Sequence, residues 1–157
     1  MKVLTPPQAI IVYKQVVVFL AGSIEMGAAK EWQQQVIELF GSMLPEEQRS
    51  DYLLLNPRRP DWDASWKQEY DNPQFYQQVK WELKGLQKAD HIIVYFDPAT
   101  KSPVSLLELG AFHNKALVIC PDGFWRKGNV AIFCEEFNVK QAPDLKAAVE
   151  MIIRSTV

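Results

Sequence analysis

Glu108 is the residue whose type and setting point most directly to chemistry. It lies in the stretch 90–117, DHIIVYFDPATKSPVSLLELGAFHNKAL, which reads as a strand over 91–96, a short loop and a helix opening near Ser105. A strand that runs into a helix gathers loop side chains and free helix N–H groups at one spot, where ligands bind in open parallel sheets. On this reading Glu108 sits in the first helical turn. The helix N–H groups there favour the ionised carboxylate, so it stays a competent nucleophile at neutral pH. Attack on an anomeric carbon would give a covalent glycosyl-enzyme intermediate, as in retaining glycosidases. A second acid, Glu82 or Asp97, would then handle the proton on the leaving group. The same spacing fits another role, because Ser105-Leu-Leu-Glu108 matches a capping box in which the Glu returns to the N-cap N–H.

Two further stretches supply groups that could hold a ligand. Gly22 and Ser23 close an apolar run, and Gly22 allows an unusual backbone turn or a close approach by a ligand. The run 22–27, GSIEMG, is neither GxGxxG nor a phosphate loop with its lysine. The stretch 56–73, NPRRPDWDASWKQEYDNP, is long for a loop without structure of its own. Trp62 and Trp66 either clamp a base between aromatic faces or pin the loop to the domain. Asp61 and Asp63 could read base edges.

The elements that position these groups alternate between strands and helices. Strands are expected at 16–21, 52–55, 91–96, 117–120 and 137–139, and helices at 28–43, 74–88, 105–115, 129–135 and 144–154. Trp32, Val36, Leu39 and Phe40 share one stripe of the first helix; Phe75, Val79, Leu83 and Leu86 share one of the second. Glu82 falls within that second stripe, where a carboxylate must find a partner or reach water at its edge. Residues 1–15 show no clear period and read as an arm. The pattern predicts one α/β domain over 1–157: a doubly wound, five-stranded parallel sheet covered by helices on both faces.

Composition narrows the function classes. The chain has 157 residues, 48% of them apolar, with a formal charge of −2 and a pI near 5.7. That suffices for one buried core and leaves no basic footprint for nucleic acid as a polymer. Cys120 and Cys134 have no metal-like spacing, and with only His91 and His113 beside them no metal site is expected. They read as buried thiols in a reducing cytoplasm. The apolar run at 16–21 is short for an export signal, and no run is long enough to span a membrane.

Four segments together resemble the nucleoside 2-deoxyribosyltransferase family over roughly 16–139. They are Val17-Val18-Phe19-Leu20-Ala21-Gly22-Ser23; Glu82, eight positions before the Asp90 that opens the third strand; Ser102-Pro-Val-Ser-Leu-Leu-Glu108-Leu-Gly110; and Gly128-Asn129-Val130. The resemblance implies a flavodoxin-like fold and a double displacement that needs no cofactor. Glu108 would attack C1′ of a 2′-deoxynucleoside and release its base, and a free nucleobase would take the sugar from it. Glu82 matches the acid that contacts the reacting sugar and base, where most relatives place Asp. Asn129 would complete a neighbouring subunit's site, so a homo-oligomer with shared sites is implied.

The family also holds hydrolases of nucleoside 5′-monophosphates. Ser102 is similar to their phosphate-binding hydroxyl, and Asn129 to the transferases' amide at the 5′-hydroxyl. Glu25 stands where the hydrolases carry Arg, and a carboxylate repels a phosphate. The transferases' first-strand tyrosine is replaced here by Val18 and Phe19. A third possibility is a non-catalytic nucleotide-binding module that uses Glu108 only as a cap.

Overall fold

The computed structural model describes residues 1–24 and 31–156. Among these, six strands form one parallel sheet: β1 (Lys2–Leu4), β2 (Val16–Gly22), β3 (Tyr52–Leu55), β4 (His91–Tyr95), β5 (Ala116–Ile119) and β6 (Lys140–Gln141). Their order is β1-β3-β2-β4-β5-β6. The helices are α1 (Trp32–Met43), α2 (Glu46–Arg49), α3 (Pro73–Lys88), α4 (Pro103–Phe112), α5 (Lys127–Glu136) and α6 (Leu145–Thr156). A 3-10 turn, His113–Lys115, follows α4.

The central strands are apolar throughout because both faces of the sheet are covered. Along β2, Val17, Phe19 and Ala21 join one core, with Trp81 of α3, Leu109 of α4 and Val130 of α5. Val18 and Leu20 point the other way, into a core with Trp32, Val36 and Phe40 of α1 and Val149 and Ile152 of α6. This is the doubly wound, flavodoxin-like arrangement. The chain passes from β2 leftward to β3, then returns to place β4 on the right of β2. The C-terminal ends of β2 and β4 therefore form the switch point, the place where open α/β sheets leave a crevice.

The sheet has one strand more than expected. The arm expected over 1–15 contains a strand, Lys2–Leu4, which pairs in parallel with β3. Three residues are too few to show a period, and pairing to a buried strand supplies what the segment lacks. The last strand lies at Lys140–Gln141, just beyond the expected 137–139. The first helix is expected from residue 28, but Glu31 is its N-cap and α1 begins at Trp32.

The expected stripe of α3 is rotated. Gln78, Trp81, Gly85 and Leu86 are buried, while Leu83 is 40% exposed. A Cβ on Gly85 would come within 2.6 Å of the Phe19 ring, so glycine lets α3 press onto β2. Trp81 donates its indole N–H to the Gln8 carbonyl at 2.8 Å, which ties α3 to the N-terminal segment. Contact with the sheet sets the rotation, and it turns Glu82 inward.

Candidate active site

At the end of β2, Gly22 has φ +135°, and a Cβ there would stand 2.3 Å from the Tyr95 carbonyl oxygen. No other residue lets β2 and β4 close so tightly at the switch point. The next residue, Ser23, is buried. Its hydroxyl accepts the Asp97 N–H and the Thr100 hydroxyl, each at 2.8 Å, and lies 2.5 Å from the Ser102 hydroxyl. Thr100 and Ser102 are themselves 2.8 Å apart. Asp97 accepts the Ala99 N–H at 2.9 Å and so shapes the turn that leaves β4. Ser23, Asp97, Thr100 and Ser102 thus form one buried polar knot below the start of α4. Thr100 was not among the residues anticipated from sequence.

Helix α4 begins earlier than expected. Ser102 is its N-cap, in left-handed backbone (φ 50°, ψ 50°), and Pro103 is the first helical residue. Proline suits that position because its missing N–H would be unpaired anyway. Ser105 is therefore inside the helix, and Glu108 is in the second turn. Both expectations built on a start near Ser105 fail together. Glu108 stands too far along to return to the N-cap as a capping box requires. It also lies beyond the first turn, where helix N–H groups would hold a carboxylate ionised.

Glu108 is instead coupled by charge to Glu82, on the face of the sheet that α3 and α4 cover together. Burial, and then the Glu82 charge, push the Glu108 carboxyl up to about 8. Burial pushes Glu82 up to about 7, partly offset by a hydrogen bond from Gln78. Glu82 keeps part of its side chain at the surface, but its carboxyl end is enclosed. Burial thus opposes ionisation of both carboxyls, and the charge on Glu82 opposes that of Glu108 further, so Glu82 gives up its proton first. That is the complement needed for one nucleophile and one acid.

The 56–72 loop is fastened beside this pair. Arg59 pairs with Asp61 at 2.7 Å, lies over the Trp66 ring at 4.9 Å and donates to Gln77 of α3 at 3.2 Å. Trp62 meets Trp66 edge to face, with ring centroids 5.1 Å apart. Asp63 accepts the Ser65 N–H at 2.8 Å. Hydrogen bonds to these two exposed carboxylates, from Arg59 and Ser65 respectively, hold both below the usual range. Both tryptophans are half-buried, so in this state they pack on each other.

Asn129 lies exposed on α5. No contact joins it to the carboxyl pair among the described residues. Glu25 and the end of the 22–27 turn lie outside the described residues. Two clefts, of about 350 and about 670 Å³, open elsewhere on the surface, and none of the candidate residues lines them. Among the described residues no group of three His, Cys, Asp or Glu side chains could hold a metal ion. No helix there is long and apolar enough to cross a membrane.

A family model described as nucleoside 2-deoxyribosyltransferase like matches residues 15–124. The chain belongs to that family. No curated protein matches it. The span matched to the nucleoside 2-deoxyribosyltransferase-like family runs from the start of β2 past β5. It contains Gly22, Ser23, Glu82, Asp97, Ser102, Glu108 and the 56–72 loop. Asn129 lies beyond it.

Proposed function

We propose that the protein is a nucleoside 2-deoxyribosyltransferase whose nucleophile is Glu108. The observation that carries this reading is the pair of enclosed carboxyls on one face of the sheet, Glu82 and Glu108, coupled by charge and raised by burial to about 7 and about 8, which supports one shared proton near neutrality. Family membership gives the substrate class, a nucleoside, and the pair supplies the chemistry.

At rest the pair's proton sits on Glu108, the higher of the two; in the reactive state it has passed to Glu82, leaving Glu108 ionised. A Glu108 oxygen bonds to C1′ of the 2′-deoxynucleoside as the bond from C1′ to the base nitrogen breaks. The bonding electrons leave with the base, which takes the proton from Glu82. A second nucleobase then attacks C1′, its proton passes to Glu82, and the Glu108 ester bond breaks. Gly22 and Ser23 would line the sugar end of the site, with Asp97 and Ser102. Asp61, Trp62 and Asp63 would contact the base, Trp62 by stacking on it. Asn129 would serve the site of a neighbouring copy in a homo-oligomer.

The test is to incubate the protein with thymidine, with and without adenine, and separate the products by liquid chromatography. Base exchange predicts deoxyadenosine and free thymine, formed much faster with adenine present. Thymine release at the same rate without adenine would identify a hydrolase using the same nucleophile. A parallel run with nucleoside 5′-monophosphates covers that outcome.

A further inference from the structure

Gln78 lies one helical turn before Glu82 on α3 and is 4% exposed. Its Nε2 donates twice: to the Pro57 carbonyl at 2.9 Å and to Glu82 Oε1 at 2.7 Å. Its Oε1 is buried with no partner among the described residues. A buried amide with an unmet acceptor is unfavourable beside an apolar side chain of similar size, so its presence calls for an explanation. The two donated bonds provide one. Pro57 belongs to the base of the 56–72 loop, and its carbonyl can only accept. That fixes which way the amide faces, because a flipped amide would set oxygen against oxygen. With Nε2 committed to Pro57, the second N–H is aimed at Glu82.

We propose that Gln78 is a positioning residue that joins the 56–72 loop to Glu82 through one amide, so that the seating of the loop and the orientation of the acid are set together. The proposal rests on Glu82 acting as the acid in the reaction above. Next door, Gln77 accepts from Arg59, the residue that also pairs with Asp61 and lies over Trp66. Two adjacent glutamines thus fasten the loop to the helix that carries the acid, one on its exposed side and one on its buried side. Glu108 of α4 is coupled to Glu82 by charge, and Arg59, at the base of the loop, reaches α3 through Gln77. A base seated against Trp62 would press on the loop, and the Pro57–Gln78–Glu82 chain would carry that displacement to the carboxyl.

Gln78→Leu keeps the volume and removes both donors; Gln78→His can restore one donor. Carboxyl carbon NMR titration of Glu82 in the wild type and in both variants gives a readout independent of turnover. In Gln78→Leu the Glu82 midpoint should rise by about one unit and in Gln78→His by less, since a donor to the ionised form lowers a carboxyl pKa. In kinetics, Gln78→Leu should lower kcat about 10-fold or more at neutral pH with KM changed much less. The acid limb of the pH profile should move to higher pH, and Gln78→His should recover part of both. An unmoved Glu82 titration in a folded Gln78→Leu variant overturns the proposal. A lowered Tm with an unmoved pH profile, showing a packing role only, overturns it as well. A wild type without turnover whose Glu82 titration still shifts in Gln78→Leu would sink the transferase reading while leaving the positioning role intact.

Discussion

At Glu108 and Glu82 the electrostatics define a narrow working range. In the proposed reaction, below about 7 both carboxyls are protonated and no nucleophile is present, and above about 8 both are ionised and no acid remains. The pH dependence of kcat/KM should therefore be bell-shaped, with its maximum between those limits. A profile flat from pH 6 to 9 would contradict the shared proton. Glu82→Gln removes both the acid and the charge that raises Glu108. Base release from an ordinary nucleoside should fall by about 10²–10⁴-fold, while a substrate whose leaving group needs no proton should lose far less. Equal losses on both substrates would place the role of Glu82 elsewhere.

The same shifts bear on stability. Glu108 rises from 4.5 to about 8 on folding. A raised carboxyl contributes stability that is fully present below its unfolded pKa and lost as pH climbs through its folded one. Glu108→Gln should therefore raise Tm at pH 9 by an amount worth at least ~1 kcal/mol and change it little at pH 5. Thermal unfolding of both proteins at the two pH values checks this; an equal change at both would show that Glu108 is not enclosed.

At the scale of elements, what positions the pair is the contact of α3 and the closure of β2 on β4. Gly85 lets α3 meet Phe19, with an added Cβ only 2.6 Å from the ring. Gly85→Ala should push α3 outward, lowering stability by about 1–3 kcal/mol and kcat by a larger factor than KM, read by denaturant unfolding and steady-state kinetics. Gly22→Ala should cost more, since its Cβ would strike the Tyr95 backbone at a φ that side chains rarely adopt. A Gly85→Ala protein with wild-type kcat would show that the α3 seat does not set the chemistry.

How legible these elements were follows from how each is stabilised. Strands β2 to β5 are apolar runs bounded by turns, and they could be read because burial on both faces leaves that mark. The three residues of β1 owe their state to pairing with β3, which sequence periodicity does not record. The start of α4 was written in Ser102-Pro103, an N-cap hydroxyl followed by proline. The competing Ser105–Glu108 spacing drew the boundary two residues late and gave Glu108 the wrong electrostatic surroundings. The Gln78–Glu82 pair stands at i, i+4 spacing, but the apolar stripe through Phe75 and Leu83 points to a different part of the helix from the face that contact with Phe19 buries. Helical periodicity gives the stripe to within a fraction of a turn, and neighbours choose within that fraction.

For the whole molecule, the two faces of the sheet differ. The α1–α6 face is closed by its own helices, whereas the α4–α5 side exposes Val104 (59%), Leu107 (73%) and Ile132 (70%). Exposed apolar side chains on these two helices, Ile132 lying one turn from Asn129 on α5, support the proposed homo-oligomer. Light scattering should give a mass above one chain, and Leu107→Lys should lower it along with turnover. A monomeric wild type that turns over at full rate would refute shared sites.

The central claim is that a deoxyribosyl group passes through Glu108. The most direct measurement is intact-protein mass spectrometry after rapid acid quench of the protein with thymidine and no acceptor base, followed by peptide mapping. The account predicts one deoxyribosyl adduct on the peptide carrying Glu108, absent in Glu108→Gln and discharged when adenine is added before the quench. Turnover that persists in Glu108→Gln, or an adduct on another residue, would contradict it.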